Sequence, residues 1–547
     1  MASKIKIKKV FFFIFLIAIL ALGIFFYIGI SHTEYEKEYN LFSLIPSDAK
    51  IVFSPKDKLF FLEEISKEEP ANEDKNRKSK SKLLEVVNDF FTSLTPNLQG
   101  KTKESVDNIL ISFHEPYGIY DQVLYCKLNK KKFNVFRKFV KDKVAGSFPH
   151  KIFVYKGEEI RIYTLDSGEF IAFYVTPNFF AVSFQKKLLE KVIDANIEGT
   201  SLLNDSSFYA HGMESLNNGP SLYLKLDDVH FNNGAIASKN IADWISFNLK
   251  FTNQEIVFEG VSSLDDAEQS YFSRVLSLQH QTPQPSSKWL PSTTSYFLHY
   301  SLSNIQAVFD YASDCLSKRD VMGDTLDLVS RKENTLQIQE FLAQRVKDYL
   351  FLLQFKDSLG SDSCNALLSF QMDPLRRNEQ ELRNLYYDLR KKDRSLPARD
   401  YKRIKGKLYT LYPLPVNDVM NQFTTSRDTI PYDYATLYND HLLLASDRQS
   451  LVSYIHFIES GDTLALKSDH ALLMNEDQQL SGYLKFDQLL NFSCYKGFAL
   501  PSVFFTYADF FSDYELRFQF IVNQKELFVN LNLFSSSKRG PKPSILN

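Results

Sequence analysis

"LYLKLDDV" at residues 222–229 and "GYLKFDQL" at 482–489 write the same Tyr-Leu-Lys-apolar-Asp run twice into one chain. Residues two apart share a face of a strand, so Tyr223, Lys225 and Asp227 point one way and Leu224 and Leu226 the other. Each run reads as a half-buried strand, with Asp227 and Asp487 placed to cap a short following helix. If the run belongs to a duplicated fold, its neighbours must recur in the same order.

They do, at offsets of about 245 to 270 residues. "IPSDAKIVF" (45–53) matches "LPSTTSYFL" (290–298), and "NILISF" (108–113) matches "NALLSF" (365–370). "YKGEEIRIYTL" (155–165) matches "YKRIKGKLYTL" (401–411). "NFFAVSFQKKLLEKVIDANIEG" (178–199) matches "DHLLLASDRQSLVSYIHFIESG" (440–461), and "TNQEIVFEGVSS" (252–263) matches "VNQKELFVNLNL" (522–533). The chain reads as a tandem duplication.

Each block translates into an element. "AKIVFSP", "TSYFLHYSL", "NILISF", "IRIYTL" and "NFFAVSF" are strand-length apolar or alternating runs. Apolar residues at i, i+3, i+4 and i+7 predict helices in "LFFLEEIS" (59–66), "KLLEVVNDFFTSL" (82–94), "SNIQAVFDYASDCL" (303–316) and "IQEFLAQRVKDYLFLLQF" (338–355). Gly199 and Gly461 suit the left-handed position that closes the helices beginning near 185 and 448. Long alternating runs at 244–264 and 514–534 fold back at Asn253-Gln254 and Asn523-Gln524. The expected fold class is α+β: an N-terminal transmembrane helix followed by two tandem homologous domains of mainly antiparallel sheet with packed helices. The domains are drawn at 41–265 and 288–535, joined by the Pro, Gln and Ser linker 279–288. The charged insert 67–82 and the tail 536–547 carry no core pattern and are expected to be disordered or flexible.

Val10 to Ile30 is an uncharged apolar run long enough to cross the roughly 30 Å hydrocarbon core as a helix. Lysines 4, 6, 8 and 9 precede it, so the positive-inside rule leaves residues 1–9 in the cytoplasm and sends the rest outside. The run exceeds the h-region of a cleaved signal, which favours an uncleaved signal anchor at 10–30. The expected location is the bacterial inner membrane, single-pass, with the C-terminal domains in the periplasm.

A net charge of −2 from 64 basic and 66 acidic residues gives no field for neutralising phosphates, which argues against a nucleic-acid partner. Cys126, Cys315, Cys364 and Cys494 are too scattered for a disulfide framework or zinc site. Cys315 and Cys364 alone are placed to pair in an oxidising compartment, and buried free thiols are the favoured reading. Phosphate-binding glycine loops, H-E-x-x-H, G-x-S-x-G and EF-hand motifs are missing, and no two histidines stand at i, i+4. "SKSK" (79–82) and "SSSK" (535–538) meet S-x-x-K in form, in segments that cannot desolvate the lysine. The carboxylate neighbours Asp227-Asp228 and Asp265-Asp266 point to opposite strand faces and read as turn or cap residues. Lys225 and Lys485 read as a solvated strand face that discourages edge pairing. The triplets at 324–326, 357–359, 428–430 and 462–464 have the form of Asp-Ser/Thr-apolar glycosylation acceptors. No catalytic, metal-binding or cofactor-binding residue is assigned, and no cofactor.

The "IPSDA" block (45–49), the "YKG…IYTL" block (155–165) and the strand–helix blocks at 179–193 and 441–455 are similar to a family of uncharacterised bacterial envelope proteins, a domain of unknown function. The resemblance covers most of 41–535. It implies an envelope location and this fold, and it carries no catalytic residues. The expected function is a membrane-anchored periplasmic binding or scaffold protein with an envelope protein as partner, its oligomeric state open. The alternatives are an envelope enzyme whose site is assembled from sequence-distant residues, and a carrier or chaperone for an apolar ligand.

Overall fold

The structure, a computed structural model, describes residues 40–55, 109–116, 120–128, 149–165, 168–208, 220–225, 243–251, 255–264, 271–317, 326–357, 364–416, 419, 432–466, 477–489, 508–523 and 525–535. The chain divides into two compact units, Met1–Ser206 and Ser207–Asn547.

Unit 1 holds β1 (Ile51–Ser54), β2 (Ile109–Phe113), β3 (Gln122–Lys127), β4 (Lys151–Tyr155), β5 (Glu158–Thr164), β6 (Phe170–Val175), β7 (Phe179–Ser183) and the helix α1 (Lys186–Glu198). They pair antiparallel in the order β1-β2-β3-β7-β6-β5-β4. Alternation splits the sheet into two apolar faces. Leu124, Cys126, Phe173 and Phe180 pack on one face. On the other, α1 buries Leu188, Leu189, Val192 and Ile193, spaced to form one stripe. The helix stops at Gly199, whose φ of 70° is open to glycine without a Cβ clash.

Unit 2 begins with β8 (Ser221–Lys225), β9 (Trp244–Phe251), β10 (Glu255–Ser263) and α2 (Tyr271–Ser277). It continues with β11 (Thr294–Ser301), α3 (Ile305–Ser317), α4 (Leu326–Arg345), β12 (Val346–Lys356), β13 (Cys364–Met372), α5 (Asn378–Lys392), β14 (Asp400–Ile404), β15 (Lys407–Pro413), β16 (Tyr434–Tyr438), β17 (His441–Ala445) and α6 (Arg448–Ser460). It closes with β18 (Leu480–Lys485), α7 (Phe486–Leu489), α8 (Ala508–Phe511), β19 (Tyr514–Asn523) and β20 (Glu526–Ser535). Strands β11 to β17 pair in the order β11-β12-β13-β17-β16-β15-β14, the order of β1 to β7. Helix α6 stands where α1 does, ends at Gly461 with a φ of 73°, and packs Leu451, Tyr454 and Ile455 onto Phe351, Leu353 and Leu443. The triplets β8-β9-β10 and β18-β19-β20 meet through β10 and β20, which run antiparallel from Glu255 opposite Phe534 to Ser263 opposite Glu526.

The expected fold class is corrected in two respects. Antiparallel sheet dominates the described residues, with helices subordinate to it, where an α+β fold of mainly antiparallel sheet with packed helices was expected. Strands β8 to β10, drawn with the first half, fall in unit 2, where β10 takes β20 as its neighbour; alternation identifies a strand without naming its partner. Secondly, no helix among the described residues is long and apolar enough to cross a membrane. Residues 10–30 lie outside the described residues, and the single-pass inner-membrane placement with periplasmic domains, which rested on their hydropathy, the preceding lysines and the family resemblance, is withdrawn.

Local readings shift as well. The helix expected over 338–355 stops at Arg345, and Val346–Lys356 is strand, because "YLFLLQF" is buried on both faces and a continuous apolar run has no period. With β12 in place, register makes β2 the counterpart of β12 and β3 that of β13, so "NILISF" and "NALLSF" are not equivalent strands. Likewise the β4–β5 turn at Lys156-Gly157 corresponds to the β14–β15 turn at Lys405-Gly406, all four at positive φ, which moves the 155/401 match by three positions. The 279–288 segment is packed in place: Gln279 Nε2 donates to the Asn304 carbonyl at 3.1 Å, and Thr282 bridges Gln478. Segments 59–66, 67–82, 82–94 and 536–547 lie outside the described residues.

Gly482 on β18 lies beneath the Phe518 ring of β19; a Cβ there would stand 2.2 Å from Cζ and 2.7 Å from the Phe297 carbonyl oxygen. Gly482→Ala is therefore expected to lower unfolding stability by about 1–3 kcal/mol. An unchanged denaturant midpoint would show that Phe518 can swing aside.

Candidate functional site

Ser112 and His114 are two residues apart at the end of β2, which puts both side chains on one face. The turn before β1, closed by Ala49 N–H donating to the Pro46 carbonyl, brings Asp48 to the same place. Asp48 Oδ1 stands 3.3 Å from His114 Nδ1, His114 Nε2 is 2.9 Å from Ser112 Oγ, and Ser112 Oγ is 3.0 Å from the Tyr125 hydroxyl on β3. The His114 ring and the Lys191 ammonium of α1 hold the Asp48 carboxyl well below the usual carboxylate range. A carboxylate only accepts, so Nδ1 carries the ring proton toward it and Nε2 is left to accept from Ser112. Burial pushes the Tyr125 hydroxyl far up, which keeps it a donor to Ser112. The order is acid, base and hydroxyl, as in a nucleophile triad. Ser112 is nevertheless wholly buried, and its oxygen is already occupied by Tyr125. A substrate carbonyl has no approach to it in this conformation.

Register shows what unit 2 does at the same positions. Val52 opposes Ser112 as Phe297 opposes Leu353, and Tyr125 opposes Ala181 as Ser369 opposes Leu443. Ser112, His114 and Tyr125 thus correspond to Leu353, Phe355 and Ser369, with Leu353 and Phe355 fully buried. The fold accepts an apolar pair where unit 1 keeps a hydrogen-bonded chain.

Unit 2 has a polar cluster of its own, between its sheet and the 279–289 segment. His299 on β11 is buried, with Nδ1 3.4 Å from Ser481 Oγ and Nε2 3.5 Å from Thr282 Oγ1. His441 on β17 has its Nε2 3.4 Å from the Tyr349 hydroxyl, and its ring lies 4.0 Å from that of Trp289, tilted by 43°. Burial pushes the His299 imidazole down to about 3 and that of His441 to about 4, so both are neutral near pH 7. Among the described residues no three His, Cys, Asp or Glu are grouped to hold a metal ion.

The residues singled out in sequence are dispersed. Lys485 does not sit on a freely solvated face: it lies 3.9 Å from Glu515, whose side chain is buried. Lys225 covers the Trp244 ring at 5.7 Å. Asp487 falls in the first turn of α7, its carboxyl raised chiefly by burial. Thr463, of the 462–464 triplet, is buried and bridged to Pro291, which removes it as a glycosylation acceptor. Asp227, Asp228, Asp265, Asp266, 79–82, 428–430 and Cys494 lie outside the described residues. Cys126 is a buried free thiol, whereas Cys364 is disulfide-bonded, against the free-thiol reading. The Asp48 chain was missed because its acid and base are 66 positions apart; the one local signal was the Ser-Phe-His alternation of 112–114.

No family model matches the chain, and no curated protein matches it. Among solved structures, crystal form I of TP0453 is 13% identical, covering 46% of this chain and 90% of its own at a TM-score of 0.23. Crystal form III is 15% identical, covering 45% and 90% at a TM-score of 0.22. Likeness this low carries nothing about fold or function.

Two outcomes are expected. The unfolded chain protonates His299 and His441 below about pH 6.5 while the folded chain does not. Their contribution is whole above that pH and falls by about 1.4 kcal/mol per pH unit per ring toward pH 4. Denaturant midpoints between about pH 7.5 and 5 should show this decline, and His441→Phe, the residue type unit 1 holds at Phe179, should flatten it. Thiol titration of the denatured chain without reductant should find two of the four cysteines free; four would rule out the Cys364 bond.

Proposed function

We propose that the chain is a non-catalytic binding or scaffold protein built on an internally repeated antiparallel sheet. The observation that supports this reading is the buried polar chain Tyr125–Ser112–His114, with Asp48 3.3 Å from the far ring nitrogen. It has the order of a nucleophile triad, yet its hydroxyl is buried and accepts from a tyrosine at the point where an acyl group would have to approach. Its geometry suits it to joining the 46–50 turn, β2, β3 and α1, since Asp48 also takes Lys191. The Cys364 disulfide supports work in an oxidising compartment.

The test is turnover by the purified full chain. A fluorophosphonate should leave Ser112 unlabelled and a chromogenic ester series should hydrolyse at the buffer rate. Ser112→Ala should cost about 1–3 kcal/mol of stability, because Tyr125 and His114 each lose a buried partner. Ester turnover that Ser112→Ala abolishes without loss of the folded circular-dichroism spectrum would replace the binding reading with an enzymatic one.

A further inference from the structure

Strand β4, "KIFVY" at 151–155, pairs with β5 alone among the described residues, and its other edge has no strand partner among them. An edge of this kind is normally blunted by charge, proline or a bulge. Here three consecutive apolar side chains stand out on both faces: Ile152 is 49% exposed, Phe153 41% and Val154 70%. The counterpart edge in unit 2, β14, reads "DYKRI" and exposes Lys402 and Arg403, the usual protection. The fold therefore does not require an apolar edge at this position.

We propose that β4 is the docking edge for a second copy of this chain, the two β4 strands pairing antiparallel about a two-fold axis. The inference rests on the reading that the protein works by binding. Two observations point to a second copy. The strand is self-complementary about Phe153: in that register Ile152 opposes Val154 of the other copy, Phe153 opposes its own equivalent, and Lys151 opposes Tyr155, so no like charges meet. Lys156, the next cation, is held back by Asp194 and Glu198 of α1. Secondly, the chain already joins its own repeats in this manner, since β10 and β20, counterparts by strand order, pair edge to edge and antiparallel. A five-residue strand gives a small interface, so the dimer is weak and concentration-dependent.

Sedimentation of the purified full chain from about 1 to 100 µM should show a monomer–dimer equilibrium. Val154→Lys, at an exposed site, should keep the circular-dichroism spectrum and weaken the dimer at least about tenfold. Phe153→Cys should form a disulfide-linked dimer on mild oxidation, as the two-fold register places position 153 against itself. A chain that stays monomeric across that range, or a dimer undiminished by Val154→Lys, would overturn the proposal. A monomer whose β4 edge takes up a synthetic extended peptide would overturn the second copy and leave the binding reading standing. A dimer that also hydrolysed esters through Ser112 would support the second copy while sinking that reading.

Discussion

The pairing of β10 with β20 is the contact on which the layout of unit 2 depends. Without it, β10 and β20 would each be an open edge, β10 held by β9 alone and β20 by β19 alone. Its register carries backbone hydrogen bonds along the whole of Glu255–Ser263 and joins strands some 270 residues apart. Closing so long a loop is costly in chain entropy, though the cost grows only as the logarithm of length. Rate is the greater consequence, since contacts this distant form late. The elements are therefore expected to assemble as local hairpins, β9–β10 and β19–β20, before their edges meet.

Local chemistry was legible wherever one residue type decides the geometry. Gly199 and Gly461 close their helices in the left-handed region, as their place at the end of each helical run implies. The hairpins at 244–264 and 514–534 follow from alternation interrupted by turn residues. Legibility failed where burial erased the period. Val346–Lys356 is apolar toward both faces, so it continued the α4 pattern until pairing with β11 and β13 settled it as strand. The missing strand then shifted one repeat match by a whole element. The 279–288 segment misled in another way: its Pro, Gln and Ser composition is that of a solvated linker, yet the glutamine amides are used in place, with Asn304 N–H donating to Gln279 Oε1 at 2.9 Å.

The candidate site was less legible than the fold for a physical reason. A buried polar chain is defined by which side chains meet, and Asp48, His114, Tyr125 and Lys191 come from four separate segments. Sequence shows only Ser112 and His114 on a common face. Lys225 and Lys485 show the opposite hazard. Their repetition suggested a shared role, but one covers an indole and the other faces a buried carboxylate, so sequence position was retained while the environment diverged.

Comparing the two copies of the seven-stranded arrangement separates what the fold demands from what each copy has added. Both keep the strand order, the Lys-Gly turn and the glycine that ends the helix. These are backbone requirements, which side-chain packing elsewhere cannot supply. They differ in the interior, where Ser112 and His114 stand against Leu353 and Phe355, and at the edge, where Phe153 and Val154 stand against Lys402 and Arg403. Leu353 and Phe355 fill their positions with no polar group to satisfy, so the unit 1 chain is not a packing necessity, and each of its members must find a partner or cost stability. An exposed apolar edge likewise carries a standing risk of unwanted pairing that unit 2 avoids. Features that a fold can do without, and that cost something to keep, are where a duplicated chain acquires asymmetry. In this protein they set unit 1 apart by a sealed polar interior and an open apolar edge.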